Sequence, residues 1–171
     1  IGNTTMPVVQ DLNSESGRDF FALNQADLKG VNFVPFRVRA GDEASCLNLN
    51  AAQQPRLLGV KPEMLEGRFT FVKAAKQIKD SKSWKSLSHL YWFKDKEIPL
   101  LLDEIPAIGD ANSIQWAMHK KVGDTIDYVD ERGHPFKVLI VGAVANSILQ
   151  GQLIIDEAEF VKRFPGESGY R

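Results

Sequence analysis

The stretch that most constrains the fold is Val122 to Pro165, VGDTIDYVDERGHPFKVLIVGAVANSILQGQLIIDEAEFVKRFP. Within it, Phe136 to Val144 is the longest strand signal in the chain. It begins with apolar/polar alternation and ends almost wholly apolar, so at least one end is expected to be buried on both faces. Ile126, Tyr128 and Val129 supply a preceding strand. Asp130-Glu131-Arg132-Gly133 makes the turn between them, with Gly133 able to take φ > 0 where other residues strain. The pattern predicts a hairpin over residues 125–144. Gln152-Leu153-Ile154-Ile155 returns as a short strand. Asp156 then caps a helix over 156–164, with Glu159 completing a capping box. Ala158, Phe160, Val161 and Phe164 form its expected apolar stripe, and Pro165 stops it.

This block is a scaffold without a catalytic motif. The rest of the chain adds short elements to it. Ile1 to Val9 reads as a strand, with Pro7 at an edge or end. Asn13 or Ser14 caps a short helix running to Leu23. Val31 to Arg39 alternates, with Phe36 and Val38 pointing one way and Arg37 and Arg39 the other. Pro35 within it argues for an edge strand or a bulge. The polar stretch AGDEASCLNLNAAQQP is a long loop, either a connector or a binding loop. Arg56 to Val60 is a strand, Pro62 opens a helical turn through Leu65, and Arg68 to Phe71 is another strand. Val72 to Ser83 reads as a lysine-rich helix with a solvated basic face. Trp84 to Phe93 is aromatic-rich, with core packing as its default role and a ligand platform as the alternative. Asp95-Lys96-Glu97 marks a soft boundary. Strands follow at Ile98–Leu102 and Ile105–Ile108, and Asn112 or Ser113 caps a helix through Met118.

The expected fold class is therefore α+β, with elements on either side of the soft boundary at residues 95–97. A length of 171 residues accommodates one ordinary domain or two small ones.

Charge and motif content remove several function classes. The net charge is −1, which gives no electrostatic case for nucleic acid. The single cysteine, Cys46, excludes an intrachain disulfide. No apolar run approaches the ~20 residues of a membrane-spanning helix. The chain opens at Ile1 rather than Met and shows no signal peptide, as expected of a processed product or an excised piece. No phosphate-binding glycine loop, metal-ligand spacing or serine elbow occurs. The carboxylate pairs Asp42/Glu43, Asp103/Glu104 and Asp130/Glu131 are sequential and read as solvated turns. His134 reads as an exposed turn residue. Only Cys46 near His89 or His119 could be assembled into a nucleophile and base. We expect no catalytic residue, no cofactor and no metal.

The order of motifs carries a resemblance. A strand and a helix lead to Val122-Gly123-Asp124-Thr125, then a hairpin closing on the Val138 to Val144 run. Upstream lie Leu58-Gly59-Val60 and Gly67-Arg68-Phe69. This order resembles the extracytoplasmic core domain of FtsX-like, MacB-type ABC transporter permeases. Each motif is short, and the specificity lies in their sequence. The resemblance is weakest over residues 1–30 and 72–97, and the family would run on through more strands beyond Arg171.

The resemblance implies a non-enzymatic domain on the outer face of the bacterial cell membrane, between the first and second membrane helices of a permease. It also implies two parts, a mixed α/β porter-like part over residues 1–95 and a smaller, mainly antiparallel, strand-rich part over residues 96–171. Its implied partners are its own transmembrane helices, a cytoplasmic ATPase subunit or domain, a second permease copy, and a periplasmic protein or lipoprotein. It would couple ATP-driven motion to efflux, lipoprotein release or control of a cell-wall enzyme. The expected contact surface is the loop holding Asn146, Ser147, Ile148, Leu149 and Gln150, where apolar residues in a turn invite a partner. The alternative is a soluble extracytoplasmic ligand-binding module built on the Trp84–Phe93 segment and the Gly41–Pro55 loop.

Overall fold

The computed structural model describes residues 2–41, 54–75, 82–88 and 103–171. Among the described residues, seven strands make one mixed sheet: β1 (Arg37–Arg39), β2 (Arg56–Val60), β3 (Phe71–Ala74), β4 (Glu104–Asp110), β5 (Thr125–Val129), β6 (Pro135–Val144) and β7 (Gln152–Asp156). The order is β1-β2-β7-β4-β6-β3, with β5 also on β6. Two α-helices are present among the described residues, α1 (Glu15–Phe20) and α2 (Glu157–Arg163). Short 3-10 turns cover Pro62–Leu65 and Trp84–Leu87, and a π-helical turn covers Ser113–Ala117. The α+β class is as expected. Strands from both sides of residues 95–97 share the sheet, because β2 pairs in parallel with β7. The soft boundary itself lies outside the described residues.

β6 organises the sheet. Along one side, its first half pairs with β5 and its last three residues with β3, while β4 runs parallel along the other side. Its first five residues alternate exposed and buried, and the rest are buried. The second half is covered on both faces, and a bulge falls at the change. Ala107 of β4 opposes Ile140, but Ile108 opposes Gly142, leaving Val141 as the extra residue. Phe136, Val138 and Ile140 join one core cluster and Val141 the other. After the bulge the parity is reversed, with Ala143 in the first cluster and Val144 in the second.

The two clusters lie on opposite faces of the sheet. One gathers Leu57, Leu153 and Ile155 under Phe160 and Phe164 of α2. Gly59 permits the close approach of α2, because a Cβ there would lie 2.7 Å from the Phe160 Cβ. The other cluster gathers Leu58, Val60, Ile108, Val141 and Ile154 around Trp84. Trp84 is 1% exposed, donates its Nε1 to the Arg68 carbonyl at 2.9 Å, and meets Phe69 and Phe71 edge-on. Its default core role holds. Leu90 to Phe93 lie outside the described residues.

Several expected elements differ. Residues 2–9 contribute only a bridge between Val8 and Tyr170. The strand expected over Val31–Arg39 begins at Arg37. Pro35 has no N–H, and the Asn13 side chain holds both the Phe33 N–H and its carbonyl. The strand expected at Arg68–Phe71 begins instead at Phe71 and runs to Ala74, so the lysine-rich helix does not start at Val72. The cause is local: Phe69 has φ +65, which turns the chain, and Phe71 to Ala74 then pair with the end of β6. Residues 76–81 and the strand expected at 98–102 lie outside the described residues.

The helix caps also divide. Ser14 caps α1, its Oγ accepting from the Gly17 N–H. Asp156 caps α2 by accepting from the Ala158 N–H. Glu159 does not complete a capping box. Its carboxylate pairs with Arg163 one turn on. Ala158 and Val161 are exposed, and the buried face of α2 is Glu157, Phe160 and Arg163, with Phe164 following. At Ser113–Ala117, neither Asn112 nor Ser113 caps. The Asp110 carboxylate accepts from both of their N–H groups, at 3.1 Å each.

Candidate functional site

The loop from Ala145 to Gly151 is built on Asp110. This residue ends β4 and is 1% exposed. One carboxylate oxygen accepts from the Asn112 and Ser113 N–H groups and the Ser113 hydroxyl, and the other accepts from the Ser147 N–H at 2.8 Å. Ser113 Oγ accepts in turn from the Gly151 N–H, and Ser147 Oγ from the Leu149 N–H. A buried carboxylate with this many donors has its acceptor sites filled and ties two loops together. The five loop residues therefore separate. Ser147 and Leu149 are buried, Asn146 and Gln150 are exposed, and Ile148 is 68% exposed.

Ile148 and Leu149 reach a cleft of about 670 Å³ on the Trp84 side of the sheet. Strand parity sets its floor. Phe36 and Val38 face it while Arg37 and Arg39 face away, as the alternation predicts. On β2, Arg56 and Leu58 face it, whereas Leu57 and Gly59 face α2. The 3-10 turn after β2 adds Lys61 and Met64, and the segment from Gly2 to Asn13 forms the opposing wall. Tyr170 and Arg171 close one side, where the Arg171 N–H donates to the Phe36 carbonyl at 2.9 Å.

The opposite side of β1 carries satisfied charge. Arg37 Nε donates to Glu157 Oε1 at 2.7 Å, and Arg39 pairs with Glu167 at 2.8 Å. The Arg37 guanidinium also lies over the Tyr170 ring, 4.9 Å from its centre. Burial pushes the Tyr170 hydroxyl above its ordinary pKa, and its bond to the Glu157 carboxylate pushes the same way.

The other residues singled out from sequence do not converge. His119 and His134 are exposed, and His134 sits 3.3 Å from Asp130 within its own turn. Hydrogen bonds from His134 hold the Asp130 carboxyl below its ordinary pKa. Glu131 accepts from the Gly166 N–H at 2.7 Å. Among the described residues, no group of three or more His, Cys, Asp or Glu could hold a metal ion. Cys46, His89, Asp42, Glu43 and most of the Gly41–Pro55 loop lie outside the described residues.

Sequence reasoning missed the cleft as a unit. Its walls come from five separated segments, so no local spacing marks it. The available signal was the Phe36/Val38 alternation beside the Leu58 parity of β2, which puts apolar side chains of two adjacent strands on one face. No family model matches this chain, and no curated protein matches it.

Proposed function

We propose that this chain is the extracytoplasmic domain of an FtsX-like ABC transporter permease, a non-enzymatic body relaying membrane-helix motion to a partner or cargo outside the cell membrane. The observation that carries the reading is the order of elements: strand, helical turn, Val122-Gly123-Asp124-Thr125, hairpin, returning strand and capped helix. The Val-Gly-Asp-Thr run has a structural task consistent with a family motif. Gly123 takes φ +101, its N–H donates to the Ile140 carbonyl, and Asp124 Oδ2 accepts from the Lys121 N–H. No helix among the described residues is long and apolar enough to cross a membrane, so the anchoring helices of this proposal would belong to flanking segments of the parent.

The test is topological. The full-length parent carrying Cys46→Ser and Ile148→Cys is fractionated and treated with a membrane-impermeant maleimide in intact spheroplasts. Ile148 is exposed enough to report. Recovery in the membrane fraction with labelling from outside is the expected result. A parent without flanking membrane helices, or labelling only after lysis, would sink the proposal.

The cleft favours a second reading, a soluble extracytoplasmic ligand-binding module. Its volume falls within the roughly 300–1,000 Å³ of small-molecule sites. Trp84, which the sequence offered to a ligand platform only as the alternative to core packing, is buried in the core.

A further inference from the structure

We propose that the cleft between the Gly2–Asn13 segment and the β1–β2 face binds a small anionic amphiphile, a single alkyl or acyl chain ending in a carboxylate or similar head group. The inference rests on the reading of this cleft as a ligand site, and it names the ligand class.

The apolar part of the argument is the floor. Phe36 and Val38 of β1, Leu58 of β2 and Leu149 of the β6–β7 loop present adjoining side chains to one cavity, and Val8 and Leu12 face them from the opposite wall. Such a floor gains by covering an alkyl chain.

The charged part is a contrast among arginines. Arg37, Arg39 and Arg163 each pair with a glutamate, Glu157, Glu167 and Glu159 respectively. Arg56, half-buried at the start of β2 and lining the cleft, has no carboxylate partner among the described residues. Lys61 and Arg171 line the same cleft and likewise form no ion pair among the described residues. Asp11 is the one acidic residue among the described residues of the lining. A half-buried guanidinium gains most from an anion brought to it, with charged donors ready to make short, strong hydrogen bonds. Among the described residues the lining sets the half-buried Arg56 and the exposed Lys61 and Arg171 against one acidic side chain, so the apolar floor favours a chain with a negative head. A neutral chain leaves the cations unanswered, and a cationic one is repelled.

The test titrates the 171-residue chain calorimetrically with decanoate, decanol and decyltrimethylammonium. Circular dichroism checks that each variant is folded. Decanoate is expected to saturate a single site and to bind at least about tenfold more tightly than either other probe. Arg56→Gln removes the half-buried cation, and Ile148→Glu sets a carboxylate on the exposed rim. Each is expected to weaken decanoate about tenfold. Val129→Glu, exposed on β5 and absent from the lining, is expected to leave it unchanged. Equal affinity for decanol or decyltrimethylammonium would overturn the anionic class while leaving a binding cleft. Decanoate binding indifferent to both Arg56→Gln and Ile148→Glu would place the ligand elsewhere and overturn the proposal. No saturable binding of any probe would overturn both the class and the cleft as a ligand site.

Discussion

Arg37 on the edge strand β1 and Glu157 in the first turn of α2 meet at 2.7 Å across 120 residues of chain, with side chains 21% and 11% exposed. The pair ties the sheet edge to the helix covering the neighbouring strands. Removing one partner strands the other in a poorly hydrated place. Arg37→Met or Glu157→Gln should each cost about 2–3 kcal/mol in urea unfolding, and the double variant should cost clearly less than their sum. Additive effects would mean that the pair is only a surface contact.

Asp110 carries the loop that holds Ile148. Asp110→Ala leaves the buried N–H groups of Ser113 and Ser147, and the half-buried one of Asn112, without their acceptor. A loss of about 3–5 kcal/mol is expected. Asp110→Asn keeps one oxygen and should lose less. Amide exchange of Ser147 and Leu149 should accelerate in both variants. Unchanged exchange there would separate the carboxylate from the loop's order.

Gly59 is a packing residue. Alanine in a strand interior is ordinarily better than glycine by roughly 0.5–1 kcal/mol. Here the added Cβ meets Phe160 at 2.7 Å, so overpacking should dominate and Gly59→Ala should lower stability by about 1–3 kcal/mol. Phe160→Leu in the same chain should recover part of that loss. A melting temperature equal to or above the parent's would contradict the contact.

Asp156 gives a pH-dependent prediction. Burial raises its carboxyl above the ordinary 3.8, with Glu159, Glu63 and Glu157 adding like charge, while the hydrogen bond from Ala158 opposes the shift. Over the interval above 3.8, the unfolded chain releases a proton that the folded chain still holds. Stability contributed by this group therefore falls as pH rises through that interval. Asp156→Asn keeps the cap and removes the charge, so at neutral pH it should be at least as stable as the parent. The gap should close in acid. Asp156→Ala should lose about 1 kcal/mol of capping at neutral pH. An asparagine variant as destabilised as the alanine one would show that the charge, not the cap, is what helps.

The legibility of this chain followed the range of its interactions. The hairpin, β7, the Asp156 cap and the α1 cap were visible because each depends on residues within a few positions of one another. The Phe36/Val38 alternation was visible for the same reason. The failures came from side chains acting at a distance. Asn13 takes the Phe33 backbone from a strand twenty residues away. Asp110 outcompetes Ser113 and Asn112 as the cap because it lies buried beneath them. In β6 the alternating start and the doubly buried end were legible, but the bulge at Val141 was not, because only the partner strand β4 reveals it. The cleft was invisible because its walls come from segments that touch only in the folded chain.

The bridge between Val8 and Tyr170 joins antiparallel segments, each donating to the other at 2.8 Å. Tension applied at residues 7 and 171 would thus peel this clasp open one bond at a time instead of sliding strands past each other. Peeling yields at low force, so the clasp would part before the sheet is loaded, and the body behind it would swing as an undeformed bead on two neighbouring threads.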